Sequence, residues 1–223
     1  MNKKYVAPIL VSFFILLGAG FAFYYYYNFK AVQYDPKIGF YGDDVVGSTI
    51  RPFKLVNQNG DTITEKDLEG KILIVEYFFT RCKSICPTMN ENMTMVYEAF
   101  KTYDDVLIVS NTCDPEYDNV EVMKAYSQKF NADPKHWLFL TGAKDVLYNQ
   151  ALYSYKIGTQ ENIGKPLDEQ FIHAPNFVLV DKEGMLRASK NKDGSLETYD
   201  GTDTADVRRL IEDVDYLSNQ QVQ

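Results

Sequence analysis

The stretch that decides the fold runs from Lys71 to Thr88 and reads KILIVEYFFTRCKSICPT. Its first ten residues are almost continuously apolar, which is typical of a central strand that is covered on both faces. Pro87 favours the first turn of a helix, so Cys82 and Cys86 fall on the loop that joins this strand to the helix. Backbone N–H groups and the helix dipole favour negative charge at such a junction. We therefore expect thiols with a lowered pKa there.

The spacing of the two thiols allows more than one chemistry. Cysteines separated by three residues on a loop can form a disulfide, or they can bind one soft metal ion as thiolates. An inert, stabilising disulfide is a third possibility. The spacing alone does not choose between these, but the redox state of Cys82 and Cys86 is expected to matter.

Strands and helices alternate on either side of this junction. The order predicts an α/β domain with a mixed sheet. Asp118, three residues before Glu121, is typical of a capping box that begins a helix. The predicted elements are a hairpin over 53–64, a strand over 71–80, a helix over 87–103, a strand over 106–109, a helix after Asp118, a strand over 137–140, a helix over 145–155, a second hairpin over 171–189 and a helix from Ala205.

The N-terminal segment has a different composition. Residues 5–29 contain no charged side chain, and roughly 20 apolar residues cross a bilayer as a helix. Lys3 and Lys4 precede the stretch, so the positive-inside rule keeps the N-terminus in the cytoplasm and exports the rest. A cleaved signal peptide is the alternative. The prediction divides the chain into a cytoplasmic stub (1–4), a transmembrane anchor (5–29), a tether (30–48), an exported domain (49–218) and a tail (219–223).

Composition restricts the function classes. The chain has 223 residues, of which 45% are hydrophobic and 24% are charged, as in a globular protein. Its formal net charge of −8 argues against binding a nucleic-acid backbone. Three cysteines in a chain of this length do not make a disulfide scaffold.

The two histidines occupy different settings. His136 lies in a polar lead into a strand, so we interpret it as a surface or capping residue. His173 lies at the start of the late hairpin, which in a thioredoxin-type sheet runs beside the cysteine-bearing junction. His173 is therefore a candidate metal ligand, although a lone histidine is more often only hydrogen-bonded.

Two further features of the sequence need an interpretation. Glu76 interrupts the apolar strand, and a buried carboxylate needs a partner or a raised pKa. Glu76 could accept a proton in thiol chemistry or pair with a lysine. Met89, Met93 and Met95 are interpreted as core packing rather than as copper ligands, because they recur with helical spacing.

Several motifs in a fixed order resemble one known family. They are FKLVNQNG at 53–60, C-x-x-x-C-P-T at 82–88, D-P-E-x-D at 114–118, W-x-x-L-T-G at 137–142, and His173 followed by V-D-x-x-G at 180–184. Together, over about residues 48–217, they resemble the Sco/SenC family of membrane-anchored, thioredoxin-like copper proteins. The resemblance implies a thioredoxin-like mixed sheet with flanking helices and an N-terminal hairpin extension, preceded by one transmembrane helix.

The resemblance also implies a copper site. In that family two cysteines and a distant histidine bind copper, which points to Cys82, Cys86 and His173 here. It places Asp114 near the site, where this residue would influence His173 or a bound metal without being a ligand itself. Forming a turn is the alternative role for Asp114. Zinc could use the same three ligands and remains a rival metal.

The family is associated with maturation of the binuclear copper site of cytochrome c oxidase. The resemblance therefore implies a copper-binding assembly factor, a metallochaperone rather than an enzyme, that delivers copper to that site or prepares its thiols. The alternatives are a membrane-anchored thiol–disulfide oxidoreductase acting on exported cysteines and an anchored interaction domain. Expected partners are the copper-site subunit of the oxidase or another exported copper protein, with an upstream copper donor or thiol reductant. The expected location is the bacterial inner membrane, with the soluble domain in the periplasm.

The chain departs from the family pattern at three places. Lys83 stands where many relatives have a proline after the first cysteine, and the segment after Asp118 lacks the usual proline. Cys113 stands where an apolar residue would be ordinary. We expect Cys113 to be structural, and we expect oxidation to join Cys82 to Cys86.

Overall fold

A computed structural model describes residues 16–21, 38–40, 50–158, 175–190 and 196–219. The chain divides into two units, Met1–Pro36 and Lys37–Gln223. In the first unit the described residues, 16–21, are helical. Most of the predicted anchor, 5–29, lies outside the described residues, and within the described part no helix has the length and apolar character needed to span a bilayer.

The second unit contains ten strands among its described residues, in two sheets. They are β1 (Ile38–Phe40), β2 (Lys54–Val56), β3 (Thr62–Thr64), β4 (Ile72–Phe78), β5 (Val106–Thr112), β6 (Trp137–Leu140), β7 (Asn176–Val180), β8 (Leu186–Lys190), β9 (Leu196–Glu197) and β10 (Tyr199–Asp200). The helices are α1 (Glu65–Leu68), α2 (Cys86–Phe100), α3 (Val120–Gln128), α4 (Lys144–Asn149), which continues as a π-helical turn over Gln150–Ser154, and α5 (Thr204–Asn219).

The main sheet is mixed, as predicted. Its order is β1-β8-β7-β4-β5-β6, with β9 beside β8 and β10 beside β7. Strands β4, β5 and β6 run parallel, whereas β7 runs antiparallel to β4. The carboxyl ends of the three parallel strands therefore lie together along one edge of the sheet, perpendicular to the strands. The cysteine-bearing loop follows β4 at this edge.

The core has two layers, one on each face of the sheet. All seven residues of β4 are buried, and successive side chains point to opposite faces. Ile74 and Phe78 pack in the layer that contains Cys86, whereas Leu73 and Val75 pack in the layer on the other face. This arrangement confirms that the continuous apolar run is a strand covered on both sides.

Helix α2 buries two of the three methionines that were interpreted as core packing. Met89 and Met93 are completely buried in the core, as their helical spacing predicts. Met95 is 37% exposed, so its interpretation as core packing was wrong. Two residues beyond Met93, a helix has turned by more than half a revolution, which directs Met95 outward.

The predicted first hairpin is formed by β2 and β3. It turns at Gly60, whose φ of 88° suits glycine. Thr64 ends β3 and is the N-cap residue of α1, and its N–H donates to the Asp67 carboxylate at 2.7 Å. The hairpin meets the main sheet through a bridge between Val56 and Thr141. It is therefore a hairpin extension that lies beside β6, the outermost strand on this side of the sheet.

One strand lies within the predicted tether. Residues Ile38–Phe40 pair antiparallel with β8 and form the outermost strand on the side of the sheet away from β6. Ile38 is buried. Three residues are too few to show a strand period in the sequence, so the pattern gave no indication of this edge strand.

Candidate functional site

The cysteine-bearing loop connects β4 to α2, as predicted. Cys86 is the first residue of α2 and is buried, whereas Cys82 lies partly exposed in the loop. Both are free thiols. The Cys82 N–H donates to the Phe79 carbonyl at 3.1 Å, which folds the loop back on the end of β4 and brings Cys82 toward the start of the helix.

The two thiols differ in their ionisation. Partial burial raises the pKa of Cys82, but hydrogen bonds with Cys86 and with Ser84 outweigh it, so this pKa lies below its usual value. Burial and the hydrogen bond with Cys82 raise the pKa of Cys86 to about 12. The expected lowering of thiol pKa values at this junction is therefore confirmed for Cys82 and wrong for Cys86, because α2 begins inside the core rather than at the surface.

Asp114 lies at the same edge of the sheet and contacts the loop. Its carboxylate pairs with the Arg81 guanidinium at 2.5 Å, and Arg81 also stacks over the Tyr117 ring, 4.1 Å from its centroid. The Asp118 N–H donates to the Asp114 carbonyl at 2.8 Å. Asp114 thus forms a turn and makes an ion pair with Arg81, the residue before Cys82.

His173 lies outside the described residues. Within the described ranges, no three His, Cys, Asp or Glu side chains gather closely enough to hold a metal ion. Val75 pairs with Val178 in the antiparallel β4–β7 ladder, so the start of β7, at Asn176, lies next to the carboxyl end of β4. His173 comes three positions before Asn176 in the chain, and its role as a ligand stays a prediction.

His136 is not a surface residue, contrary to the interpretation from sequence. It is only 8% exposed, and its carbonyl accepts from Ile108 N–H because the β5–β6 ladder continues past Trp137. His136 precedes the amino end of β6, which is the edge opposite the cysteines. The structure therefore separates His136 from the candidate site.

Cys113 packs on the other face of the sheet from Cys86. It contacts the layer that contains Leu73 and Val75, and burial raises the pKa of its thiol well above the usual value. Its carbonyl accepts from the Tyr148 hydroxyl at 2.9 Å. These contacts suit the structural role expected for it.

Glu76 is completely buried in β4. Its Oε1 accepts from the Ser110 hydroxyl at 2.6 Å, and Ser110 in turn accepts from Trp137 Nε1 at 2.9 Å. In the described part of the chain its Oε2 has no hydrogen-bond partner. Burial raises the Glu76 pKa to about 7, which confirms the expected shift, and no lysine pairs with this carboxylate among the described residues.

Asp118 does not cap α3, contrary to the capping box predicted from sequence. Asn119 does so, since its Oδ1 accepts from Val122 N–H at 3.0 Å. The Asp118 side chain turns inward, where it is completely buried and accepts hydrogen bonds from Thr80 and Thr112. Sequence reasoning missed the role of Asp118, although both aspartates of the D-P-E-x-D motif follow the end of β5 at the edge that carries the cysteines.

The comparison with known families agrees with this geometry. The family model described as SCO1/SenC matches residues 44–207. The chain belongs to the SCO1/SenC family. Among SCO1/SenC relatives, the SCO1 protein homolog of Bacillus subtilis is 29% identical over 173 residues, which cover 77% of this chain and 83% of the relative.

Solved structures of SCO1/SenC proteins share the fold. BsSco, a member of the Sco family of cytochrome c oxidase assembly proteins with a disulfide switch, is 28% identical with a TM-score of 0.61. That match covers 81% of this chain and 99% of BsSco. Yeast Sco1 with copper bound is 25% identical with a TM-score of 0.54, and the match covers 82% of this chain and all of the yeast chain. The mixed α/β architecture described above is therefore that of the Sco proteins.

Proposed function

We propose that this chain is a copper-binding assembly factor that delivers copper to, or prepares the thiols of, the binuclear copper site of cytochrome c oxidase. The observation that carries the proposal is the pair of free thiols after β4, with Cys82 partly exposed in the loop and Cys86 buried at the start of α2, in a member of the SCO1/SenC family. Yeast Sco1, a relative with the same fold, has been crystallised with copper. Copper is the cargo in this proposal, and Cys82, Cys86 and His173 are its ligands.

The chemistry of the donors fits copper. Thiolates select Cu(I), and imidazole suits copper in both oxidation states. Cys82 is partly exposed and has a lowered pKa, so it offers a thiolate to an arriving ion. Cys86 is held as a neutral thiol and must release its proton on binding, which makes uptake pH-dependent. Three protein ligands leave a position for a ligand of the receiving protein.

The position of β7 supports His173 as the third ligand. Because β7 runs antiparallel to β4, the chain enters β7 at the edge where the cysteine loop leaves β4. His173 comes three positions before Asn176, so it directly precedes the strand that starts at this edge. His136, the other histidine, precedes β6 at the opposite edge.

A thiol–disulfide oxidoreductase is the second candidate. The contrast between an accessible thiol of lowered pKa and a buried partner of raised pKa favours it, because thiol exchange begins with attack by one thiolate and ends with the second thiol closing the disulfide. BsSco is described as having a disulfide switch. Exchange needs the two cysteines only, whereas copper transfer also needs His173.

We further propose the cellular setting implied by the N-terminal sequence. Residues 5–29 anchor the chain in the bacterial inner membrane. Residues 30–48 form the tether, of which 38–40 join the sheet of the domain as β1, and the domain over 49–218 faces the periplasm. The proposed partners are the copper-site subunit of cytochrome c oxidase or another exported copper protein, together with an upstream copper donor or reductant.

Anaerobic titration of the reduced full-length chain in detergent tests the proposed function. We expect one tightly bound copper per chain, with zinc displaced by Cu(I) because thiolate ligands favour the softer ion. Cys82→Ser and Cys86→Ser should each abolish tight binding. Cys113→Ser is the matched control and should bind one copper. Tight copper binding by both Cys82→Ser and Cys86→Ser would contradict the proposal.

A further inference from the structure

The Asp118 carboxylate is buried where three parallel strands end. It accepts hydrogen bonds from Thr80 N–H at 3.0 Å, from the Thr80 hydroxyl, and from the Thr112 hydroxyl at 2.6 Å. The Asp118 carbonyl accepts from the Thr141 hydroxyl at 2.6 Å. Thr80 follows β4, Thr112 ends β5 and Thr141 follows β6, so one residue connects the ends of all three strands.

Burial makes this carboxylate costly unless its partners are well placed. An isolated carboxylate in a protein interior is strongly destabilising, whereas hydrogen bonds to a charged oxygen are stronger than neutral ones. Among the described residues no ion pair neutralises Asp118, and its partners are neutral N–H and O–H groups. The carboxylate therefore constrains Thr80 and Thr112 more tightly than an ordinary hydroxyl contact would.

The constraint acts on the loop that carries the thiols. Thr80 lies two positions before Cys82, and both its N–H and its hydroxyl are directed at Asp118. Thr112 also accepts the Asp114 N–H at 2.9 Å, and Asp114 pairs with Arg81, the residue between Thr80 and Cys82. Asp118 thus fixes the start of the loop directly and, through Thr112 and Asp114, also fixes Arg81.

We propose that Asp118 is the positioning residue of the Cys82–Cys86 pair. By holding Thr80, it sets the separation of the two thiols that the copper site and the disulfide both require. The copper part of this inference rests on the function proposed above, whereas the disulfide part does not. Capping α3 does not account for Asp118, because Asn119 caps that helix.

Two conservative variants separate this role from simple stabilisation. In Asp118→Asn, the amide oxygen can take the place of Oδ2 and accept from Thr80 N–H and the Thr112 hydroxyl, but the amide NH₂ then faces the Thr80 hydroxyl, which must turn to accept from it. In Thr80→Val, the side-chain donor on the cysteine loop is lost while the residue keeps its shape. Asp213→Asn is the matched control. Asp213 lies on α5, is also buried, and accepts from the Tyr199 hydroxyl at 2.7 Å.

The experiment uses the full-length chain in detergent and measures two quantities. One is copper affinity under anaerobic, reducing conditions. The other is the equilibrium in which oxidised glutathione takes two electrons from Cys82 and Cys86, giving their disulfide and two reduced glutathione molecules. Melting temperatures report how far each variant is destabilised.

We expect Asp118→Asn and Thr80→Val each to lower copper affinity at least tenfold. We also expect each to shift the disulfide equilibrium at least tenfold toward the free thiols, which is about 30 mV for this two-electron couple. Asp213→Asn should lower the melting temperature while both quantities stay within twofold of wild type. If Thr80→Val and any folded Asp118→Asn resemble Asp213→Asn in both quantities, Asp118 only stabilises the fold and the proposal is wrong.

The two readouts also separate this proposal from the proposed function. If the wild-type chain binds no copper, the copper-binding function fails, and the disulfide equilibrium alone decides the role of Asp118. If the wild type binds copper and the variants change neither quantity, the positioning role fails while the copper function stands.

Discussion

The three cysteines show how the same side chain takes three roles on one sheet. Cys82 is accessible and has a lowered pKa, Cys86 is buried with a pKa near 12, and Cys113 packs on the other face. The sequence indicated that Cys82 and Cys86 act together. It could not indicate that their pKa values diverge, because that depends on α2 beginning inside the core.

Oxidation of the metal-free chain should join Cys82 to Cys86. Cys82 and Cys86 pack in the same core layer, whereas Cys113 packs in the layer on the other face of the sheet. Peptide mapping of the oxidised chain by mass spectrometry should find Cys113 reduced, and the oxidised chain should bind no copper, because a disulfide offers no thiolate. A dominant bridge to Cys113 would show that Cys113 belongs to the site.

Glu76 should make the stability of the protein depend on pH. Its pKa rises from 4.5 in the unfolded chain to about 7 in the fold, so its favourable contribution is complete below pH 4.5 and is lost as the pH rises through 7. The loss corresponds to about 3 kcal/mol. Glu76→Gln keeps the acceptor for Ser110 and removes the ionisation.

Urea unfolding of both proteins across this pH window provides the measurement. The free energy of unfolding of wild type should fall relative to that of Glu76→Gln between pH 4.5 and a little above 7, with no further change at higher pH. Parallel stability curves for the two proteins would show that Glu76 does not carry the raised pKa.

At the scale of elements, the amphipathic and apolar patterns predicted most of the fold. The strand at 72–78, the helix that follows it and the strand at 137–140 are formed as expected, because each has a strong and continuous pattern. The start of α3 was predicted one residue early, since Asp118 and Asn119 are both good capping residues. Tertiary contacts to Thr80 and Thr112 decide between them, and sequence patterns do not contain those contacts.

Beside the bridge between Val56 and Thr141, one glutamine of the hairpin extension pairs with the backbone of β6. Gln58 is buried, its Nε2 donates to the Trp137 carbonyl at 2.8 Å, and its Oε1 accepts from Phe139 N–H at 3.0 Å. Gln58→Ala leaves both backbone groups without a partner, so we expect a loss of about 2 kcal/mol or more in the free energy of unfolding. Denaturant unfolding measures it.

Gln128→Ala is the matched control for that prediction, because Gln128 is exposed near the end of α3. Its substitution should change the free energy of unfolding by less than about 0.5 kcal/mol. Equal effects of the two substitutions would mean that the Gln58 hydrogen bonds to β6 do not stabilise the fold.

At the scale of the whole molecule, the candidate site is assembled at one edge of the sheet from segments that are distant in sequence. Parallel strands β4, β5 and β6 bring Cys82, Asp118 and Thr141 to that edge, and β7 starts beside it. The motif C-x-x-x-C, with the proline that follows it, was sufficient to predict that both thiols lie where β4 leads into α2. The network around Asp118 was not predictable, because it depends on which strands are neighbours and which side chains turn inward.

The most direct test of the copper ligand set compares the two histidines. We expect His173→Ala to lower the affinity of the reduced full-length chain for copper at least tenfold and to alter the spectrum of its Cu(II) form. His136→Ala should leave copper affinity and spectrum unchanged, because His136 lies at the opposite edge of the sheet. Unchanged copper affinity and spectrum in His173→Ala would contradict the assignment of Cys82, Cys86 and His173 as the copper site.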